Sequence, residues 1–355
     1  MFVQSSRFEI LYINLRKVII SFTMLIKRHP KNPIVVPGVH NYRRVSVFNP
    51  GVIYDNGTFY MYERAAGSLR PFKTSIGLLK STDGVNFDIV NDNPIFTADV
   101  LGFPDGSVED ARVVKIDDTF YMCYALQPYA FDCWPTGINL PNYYPHPEWK
   151  ENNVEPMLTR SGIATSKDGE NFTQLCINTP IEIDDRDNAL FPEKIDGKFV
   201  ILRRPMQYVG EEYGTENPGI WLSYSDDLLD WSKPYLVATA KVPEWEGLKI
   251  GGAASPLKTK DGWFVLYHGV DANSTYRVGA LLLNLGDPTK VIARTPKPIM
   301  EPEFYYEKFG LVINNTIFPT ANLIYNDDVY IYYGCCDTSI SLATVPLIDM
   351  LNHMK

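Results

Sequence analysis

Cysteine is scarce in this chain. The 355 residues include five, Cys123, Cys133, Cys176, Cys335 and Cys336. The number is odd and no C-x-x-C spacing occurs, so neither a disulfide framework nor a zinc site is supported. No metal and no organic cofactor is expected. A reducing compartment is the simpler expectation, and with it a cytoplasmic location. An excess of basic charge is also missing, since 33 Lys and Arg face 42 Asp and Glu for a net charge of −9. A general nucleic-acid or anionic-membrane binder needs a basic face. Both partner classes are set aside, and any anion site must be a local cluster. Long uncharged apolar runs are absent too. The segment 8–26 carries Glu9, Arg16 and Lys17, which disqualifies it as a membrane span. Residues 18–26 could form a signal-like apolar stretch, but Lys27-Arg28-His29 follows in place of a small-residue cleavage site. Residues 1–23 are therefore read as an N-terminal extension of uncertain origin, and 24–355 as the working domain. The alternative reading of the extension is a secretory signal. Helical periodicity is weak outside 347–351.

What the chain has is strand chemistry. It is 45% hydrophobic and 13% aromatic, with 22 Tyr and 18 Phe, a bias toward strands over helices. One pattern repeats: an apolar run, a turn of Asp, Asn or Gly, a second apolar run, then a third that ends in another polar turn. Residues 48–54, Asp55-Asn56-Gly57 and 58–62 make the first pair, followed by 75–80 and Ser81-Thr82-Asp83-Gly84. The pattern returns at 108–124 with Asp117-Asp118, at 189–203 with Asp196-Gly197, at 252–268 with Asp261-Gly262, and at 317–333 with Asn326-Asp327-Asp328. The spacing is roughly 60–80 residues, with about four short strands per unit, as a propeller blade requires. Blades bury their faces only against neighbours, so the array must close. The fold expected is all-β, a five-bladed β-propeller.

In a propeller the ends of the innermost strands, and the loops entering them, face a central funnel. The positions so placed are Asn49, Arg64, Glu109, Asp110, Arg112, Lys194, Arg204, His268 and Asp337. Glu109-Asp110-Ala111-Arg112 stands out. It puts an acid pair and a base where a strand begins, and a carboxyl held by a sheet yet facing a cavity suits a general acid. A lone E-D-x-R is more often a surface ion pair. Its place in one of five equivalent hairpins favours the functional reading.

These segments resemble glycoside hydrolase family 130, the inverting β-mannoside phosphorylases and related β-mannosidases. The resemblance rests on Phe48-Asn49-Pro50, Glu109-Asp110-Ala111-Arg112, the run Arg160-Ser161-Gly162-Ile163-Ala164, Phe191-Pro192-Glu193-Lys194, Arg204-Pro205, Lys249-Ile250-Gly251, Tyr267-His268-Gly269, Tyr276-Arg277-Val278-Gly279, Phe318-Pro319 and Asp337-Thr338. It implies a five-bladed propeller, with Asp110 as general acid acting through a sugar hydroxyl. It implies inorganic phosphate as co-substrate, held by Arg160, Lys194, Arg204 and His268. It places the mannoside on Asn49, Arg64, Glu109, Arg112 and Asp337. The partners expected are then a β-mannoside oligosaccharide and phosphate, with a homo-oligomer left open. Ala111, where the family often has Pro, and Cys335-Cys336 depart from the usual pattern and leave the linkage cleaved undecided.

The chemistry separates two enzymes. An inverting hydrolase needs two carboxyl groups about 6.5–9.5 Å apart, one of them activating water. A phosphorylase replaces water and base with phosphate and needs cations to hold it. Phosphorolysis giving α-mannose 1-phosphate is the preferred expectation. A β-mannosidase, with Glu193, Glu211, Glu212 or Glu216 as base, is the alternative, and a non-catalytic sugar-binding propeller is the third reading. The segment 127–156, rich in aromatics and proline, is expected to cap the funnel on the acceptor side.

Overall fold

The computed structural model describes residues 26–130, 158–180 and 182–354. The extension 1–23 and most of the expected cap, including 135–147, lie outside the described residues.

Five antiparallel sheets stand in a ring. The first blade is β2 (Ser46–Asp55), β3 (Thr58–Ala66), β4 (Thr74–Ser81) and β5 (Asp88–Ile89). The second is β6 (Ser107–Ile116), β7 (Thr119–Gln127), β8 (Arg160–Ser166) and β9 (Thr173–Ile177). The third is β10 (Asp185–Leu190), β11 (Phe199–Pro205), β12 (Ile220–Ser225) and β13 (Tyr235–Ala238). In the fourth the innermost strand is split into β14 (Lys249–Gly252) and β15 (Leu257–Lys258), which both pair with β16 (Trp263–Val270). β17 (Tyr276–Leu283) and β18 (Val291–Arg294) complete it. The fifth blade is β19 (Ile317–Tyr325), β20 (Asp328–Cys335) and β21 (Ser339–Pro346). Its outer strand is β1 (Lys27–Arg28), from the other end of the chain, with Lys27 opposite Thr344 and Arg28 opposite Ala343. The ring is thus closed by the N-terminal strand, and a helix, Leu347–Met354, packs under the fifth blade.

The turns are made by the residues that their chemistry favours. Asn56, Asp117, Asp196 and Asn326 all take positive φ at the inner hairpins, a conformation that Asn and Asp tolerate better than other side chains bearing a Cβ. The outer turns are Asx-type knots. Ser81 Oγ accepts from the amides of Asp83 and Gly84, and Asp83 Oδ1 from those of Val85 and Asn86, at 2.8–3.1 Å. Ser166-Asp168 and Ser225-Asp227 repeat the knot in the next two blades. The core lies between blades, where apolar faces of neighbouring sheets meet, as in the cluster of Phe264, Leu266, Ile317, Ile331 and Tyr333.

One irregularity recurs on the funnel side. In each of the first three blades the inner hairpin slips register by a bulge, between Phe48 and Gly51, Glu109 and Arg112, and Arg186 and Ala189. The first residue of each bulge is Asn49, Asp110 or Asp187, with φ of 43°, 53° and 57°. A bulge re-aims a side chain out of the pleat. Here it brings an amide and two carboxyls, one from each blade, to the lining of the central cavity.

Candidate active site

A cavity of about 300 Å³ opens where these bulges meet. It has an acidic end and a cationic end.

At the acidic end Asp110 Oδ1 accepts from Asn49 Nδ2 at 2.9 Å and from Arg64 Nη1 at 3.0 Å. Its Oδ2 has no hydrogen-bond partner among the described residues. Arg64 also donates from Nη2 to Glu109 Oε1 at 2.6 Å. Its guanidinium lies 4.4 Å over the Phe48 ring, which fixes its plane. Asp337 lines the same end. Burial pushes its carboxyl up to about 7, against the pull of Arg64 and with Asp110 and Glu109 adding repulsion. Burial likewise raises Glu109, against Arg64. One guanidinium thus lies among three carboxyls, and their mutual repulsion favours proton uptake at this end of the cavity.

At the other end stand Arg186, Arg204, Lys249, His268 and Tyr276. Arg186 is gripped by Asp184 through Nε at 2.9 Å and Nη2 at 3.0 Å. Arg204 Nε donates to Asp187 Oδ2. Lys249 sits 5.6 Å over the Tyr276 ring, and its ammonium has no hydrogen-bond or ion-pair partner among the described residues. Burial, with Arg204 and Arg186 close by, holds it down to about 7. His268 is fully buried, and among the described residues neither ring nitrogen has a hydrogen-bond partner. Its Nε2 is 3.6 Å from Asp187 Oδ2. Burial brings it down to about 3, so it is neutral at any working pH. Gly251 makes this packing possible, because a Cβ there would overlap Asp187 Oδ2, His268 Cε1 and Arg204 Nε.

Asp187 is the anion that binds the two halves. Although burial opposes it, the guanidiniums of Arg204 and Arg112 hold it below the usual carboxylate range. Arg112 lies beneath the cavity and does not line it. It donates to Asp187 Oδ1 at 3.1 Å, to the Asp110 carbonyl oxygen at 3.1 Å and to the Ala253 carbonyl oxygen at 2.6 Å. It braces blades two, three and four, where the sequence suggested a substrate contact.

Of the residues expected from the sequence, the structure brings Asn49, Arg64, Glu109, Asp110, Arg204, His268 and Asp337 to one cavity. Two others stand elsewhere. Lys194 is exposed in the turn of the inner hairpin of blade three, its ammonium 4.2 Å over Phe199, at the end of the blade away from Arg204. Arg160 is buried at the start of β8, where Nη1 donates to the Leu158 carbonyl oxygen, and is not among the cavity's lining residues. The cationic places are filled instead by Arg186 and Lys249. Arg186 had a signal, since Arg186-Asp187 stands at its bulge as Glu109-Asp110 does one blade earlier. The suggested hydrolytic bases do not reach the cavity either. Glu193 pairs with Lys258 at 2.5 Å, and Glu211, Glu212 and Glu216 are exposed. Among the described residues no cluster of three potential metal ligands occurs, and no helix is long and apolar enough to cross a membrane. Cys123, Cys176, Cys335 and Cys336 are free thiols.

The axial cavity of the propeller thus has carboxyls at one end and a cluster of cations at the other. Comparison with known proteins gives the family. The Glyco_hydro_130 family model, described as beta-1,4-mannooligosaccharide phosphorylase, matches residues 26–355. The chain belongs to glycoside hydrolase family 130. It is 35% identical over 338 residues to the 1,2-beta-oligomannan phosphorylase of Thermoanaerobacter sp. strain X514, covering 92% of this chain and 98% of the relative. It is 35% identical over 334 residues to the beta-1,2-mannobiose phosphorylase of the same strain, covering 90% and 97%. Its fold is similar to that of the beta-1,2-mannobiose phosphorylase of Listeria innocua in complex with beta-1,2-mannobiose, with a TM-score of 0.74, 25% identity, and 93% and 99% of the two chains covered.

Proposed function

We propose that this protein is an inverting β-mannoside phosphorylase, and that its preferred linkage is β-1,2. The observation that carries the reaction type is the cationic end of the cavity. Among the described residues the Lys249 ammonium and the buried ring nitrogens of His268 have no hydrogen-bond partner, and Arg186 and Arg204 are fixed in place by carboxylates. Buried polar groups without partners are rare. A phosphate dianion supplies acceptors for all four, through charge-assisted bonds to the guanidiniums and ammonium and a neutral N–H from His268.

The mannosyl group then lies between phosphate and Asp110, with Arg64, Asn49 and Asp337 at its hydroxyls. A phosphate oxygen attacks the anomeric carbon from the face opposite the leaving oxygen. The new C–O bond to phosphate forms as the glycosidic bond breaks, and configuration inverts from β to α. The proton needed by the leaving oxygen comes from Asp110, directly or through a sugar hydroxyl. Asp187 is a poor base for water, because its two oxygens are taken by Arg112 and Arg204. No other carboxylate stands at the cationic end among the described lining residues. That weighs against hydrolysis. The β-1,2 preference is supported by the two relatives at 35% identity.

The test is product analysis with β-1,2- and β-1,4-mannobiose, each with and without phosphate. α-Mannose 1-phosphate should form from the β-1,2 isomer in preference, and only with phosphate present. Undiminished release of mannose in phosphate-free buffer would overturn phosphorolysis, and faster turnover of the β-1,4 isomer would overturn the linkage.

A further inference from the structure

A second concave surface lies on the outside of the ring, between blades two and three. It is a groove of about 430 Å³ that shares no lining residue with the axial cavity. Tyr208 and Trp231 line it, with Asn178, Arg203, Ile177 and Lys233. Both aromatic rings are held in place. Tyr208 stacks on Tyr213 with centroids 4.7 Å apart and planes 11° from parallel, and meets Trp221 edge-on at 5.4 Å. Trp231 is anchored by Nε1, which donates to the Leu228 carbonyl oxygen at 3.1 Å.

The polar groups point to the kind of ligand. Asn178 is 7% exposed, and its Nδ2 has no hydrogen-bond partner among the described residues. Its Oδ1 accepts from Asn188 Nδ2 at 3.4 Å, and its backbone N–H donates to the Ser161 carbonyl oxygen at 3.0 Å, so the residue is anchored with one side-chain donor to spare. Arg203 is neutralised by Asp185, which takes Nε at 2.8 Å and Nη2 at 2.7 Å. That leaves Lys233, exposed at the rim, as the uncompensated charge of the lining. Rigid aromatic faces with one amide donor and little net charge suit a flat, neutral, hydroxyl-rich ligand. They suit an anion poorly, since a phosphate would meet one exposed ammonium.

We propose that this groove is a second, non-catalytic carbohydrate site that holds a mannosyl residue of an oligomannoside on the outer face of the ring. The sugar's C–H face packs on Tyr208 and Trp231, and Asn178 Nδ2 donates to one of its oxygens. The choice of mannosyl ligand rests on the β-mannoside reading above. Existence of the site does not depend on turnover.

The experiment uses the full chain carrying Asp110→Asn, which blocks consumption of the probe. β-1,2-Mannotetraose is titrated calorimetrically and by NMR of the indole N–H resonances. Two sites per chain are expected, and the Trp231 indole resonance should shift as the second fills. Adding Tyr208→Ala should weaken that second site by about tenfold or more, from the loss of one stacked ring. In the otherwise unchanged enzyme, Tyr208→Ala should leave kcat/KM for mannobiose as it was. If that variant loosens the loop, the Trp231 resonance in the Tyr208-intact protein still decides. One site per chain with an unmoved Trp231 resonance would refute the proposal. So would a second site that survives Tyr208→Ala, or one from which inorganic phosphate displaces the sugar. Phosphorolysis of mannobiose without a second site would sink this inference alone. A second site on a protein that makes no mannose 1-phosphate would sink the phosphorylase reading alone.

Discussion

Replacing Lys249 by Met tests the cationic end of the cavity most directly. Lys249 is half-buried beside two guanidiniums, with no counter-ion of its own, and is held down to about 7. Its unfolded value is near 10.4. The folded state therefore binds fewer protons than the unfolded one between these values, and the cost of burying the charge is fully present below pH 7 and relieved as pH rises toward 10. Met keeps the length of the stem and removes the charge. The apo protein should lose nothing in stability at pH 7 and should gain some. Phosphate binding should suffer instead. A hydrogen bond from a charged donor contributes about 1.5–3 kcal/mol, so KM for phosphate should rise about 10- to 150-fold. The pH profile adds a second sign. In the parent enzyme phosphate KM should climb above pH 7 as Lys249 loses its proton, and in Lys249→Met that limb should flatten. Initial rates over a phosphate series at pH 6, 7 and 8, with thermal melts alongside, measure all three effects. An unchanged phosphate KM in a well-folded variant would refute the assignment of this end of the cavity.

Three further outcomes follow from the geometry. Asp110→Asn keeps a side chain that tolerates the positive φ and still accepts from Asn49 and Arg64, so the fold should hold while kcat falls about 10²- to 10⁴-fold; activity within tenfold of the parent would exclude Asp110 as the acid. Arg43→Met strands Glu63, which is fully buried and bound by Arg43 at 2.6 and 3.0 Å, and should cost about 3–5 kcal/mol in denaturant unfolding with the axial site untouched. Backbone amides, foremost those of Asn86 and Asn171, hold Asp83 and Asp168 below the usual carboxylate range; the stability they give is present above about pH 3.9 and lost as pH falls through their folded values. Asp83→Asn should accordingly lower the melting temperature at pH 6 and narrow its gap to the parent at pH 2, read by melts across that range.

The blades were legible because each turn is a local event. Asp55-Asn56-Gly57 or Asp196-Gly197 specifies a reversal from its own dihedral preferences, whatever the rest of the chain does. The acidic end was legible for a related reason, since Glu109, Asp110 and Arg112 lie on one strand and the bulge that aims them is encoded there. The cationic end was legible only in part, since Arg204 and His268 were expected there and Arg186 and Lys249 were not. It draws on β10, β11, β14, β16 and β17, whose relative heights are set by packing between blades. The misplacement of Lys194 shows the difficulty. It follows Arg186 by eight residues, and at about 3.3 Å per residue an extended strand carries it roughly 25 Å down the blade, to the opposite turn. Lys249, at the head of a split inner strand, stood in one of the segments that carry the family resemblance, but no acid beside it in sequence marked it for the cavity. The pairing of β1 with the fifth blade was hidden in the same way, because two residues of edge strand leave no pattern.

That pairing has a consequence for how the molecule is made. Arg28 leaves the ribosome early, yet its partner, Ala343, is 315 residues further on. At a synthesis rate of about 5–20 residues per second, the nascent N-terminal strand waits roughly 16–60 s with its hydrogen-bonding edge unpaired. The blade that completes the circle is translated after the other four, so the axial chamber and everything assembled around it come into being only once that blade has emerged.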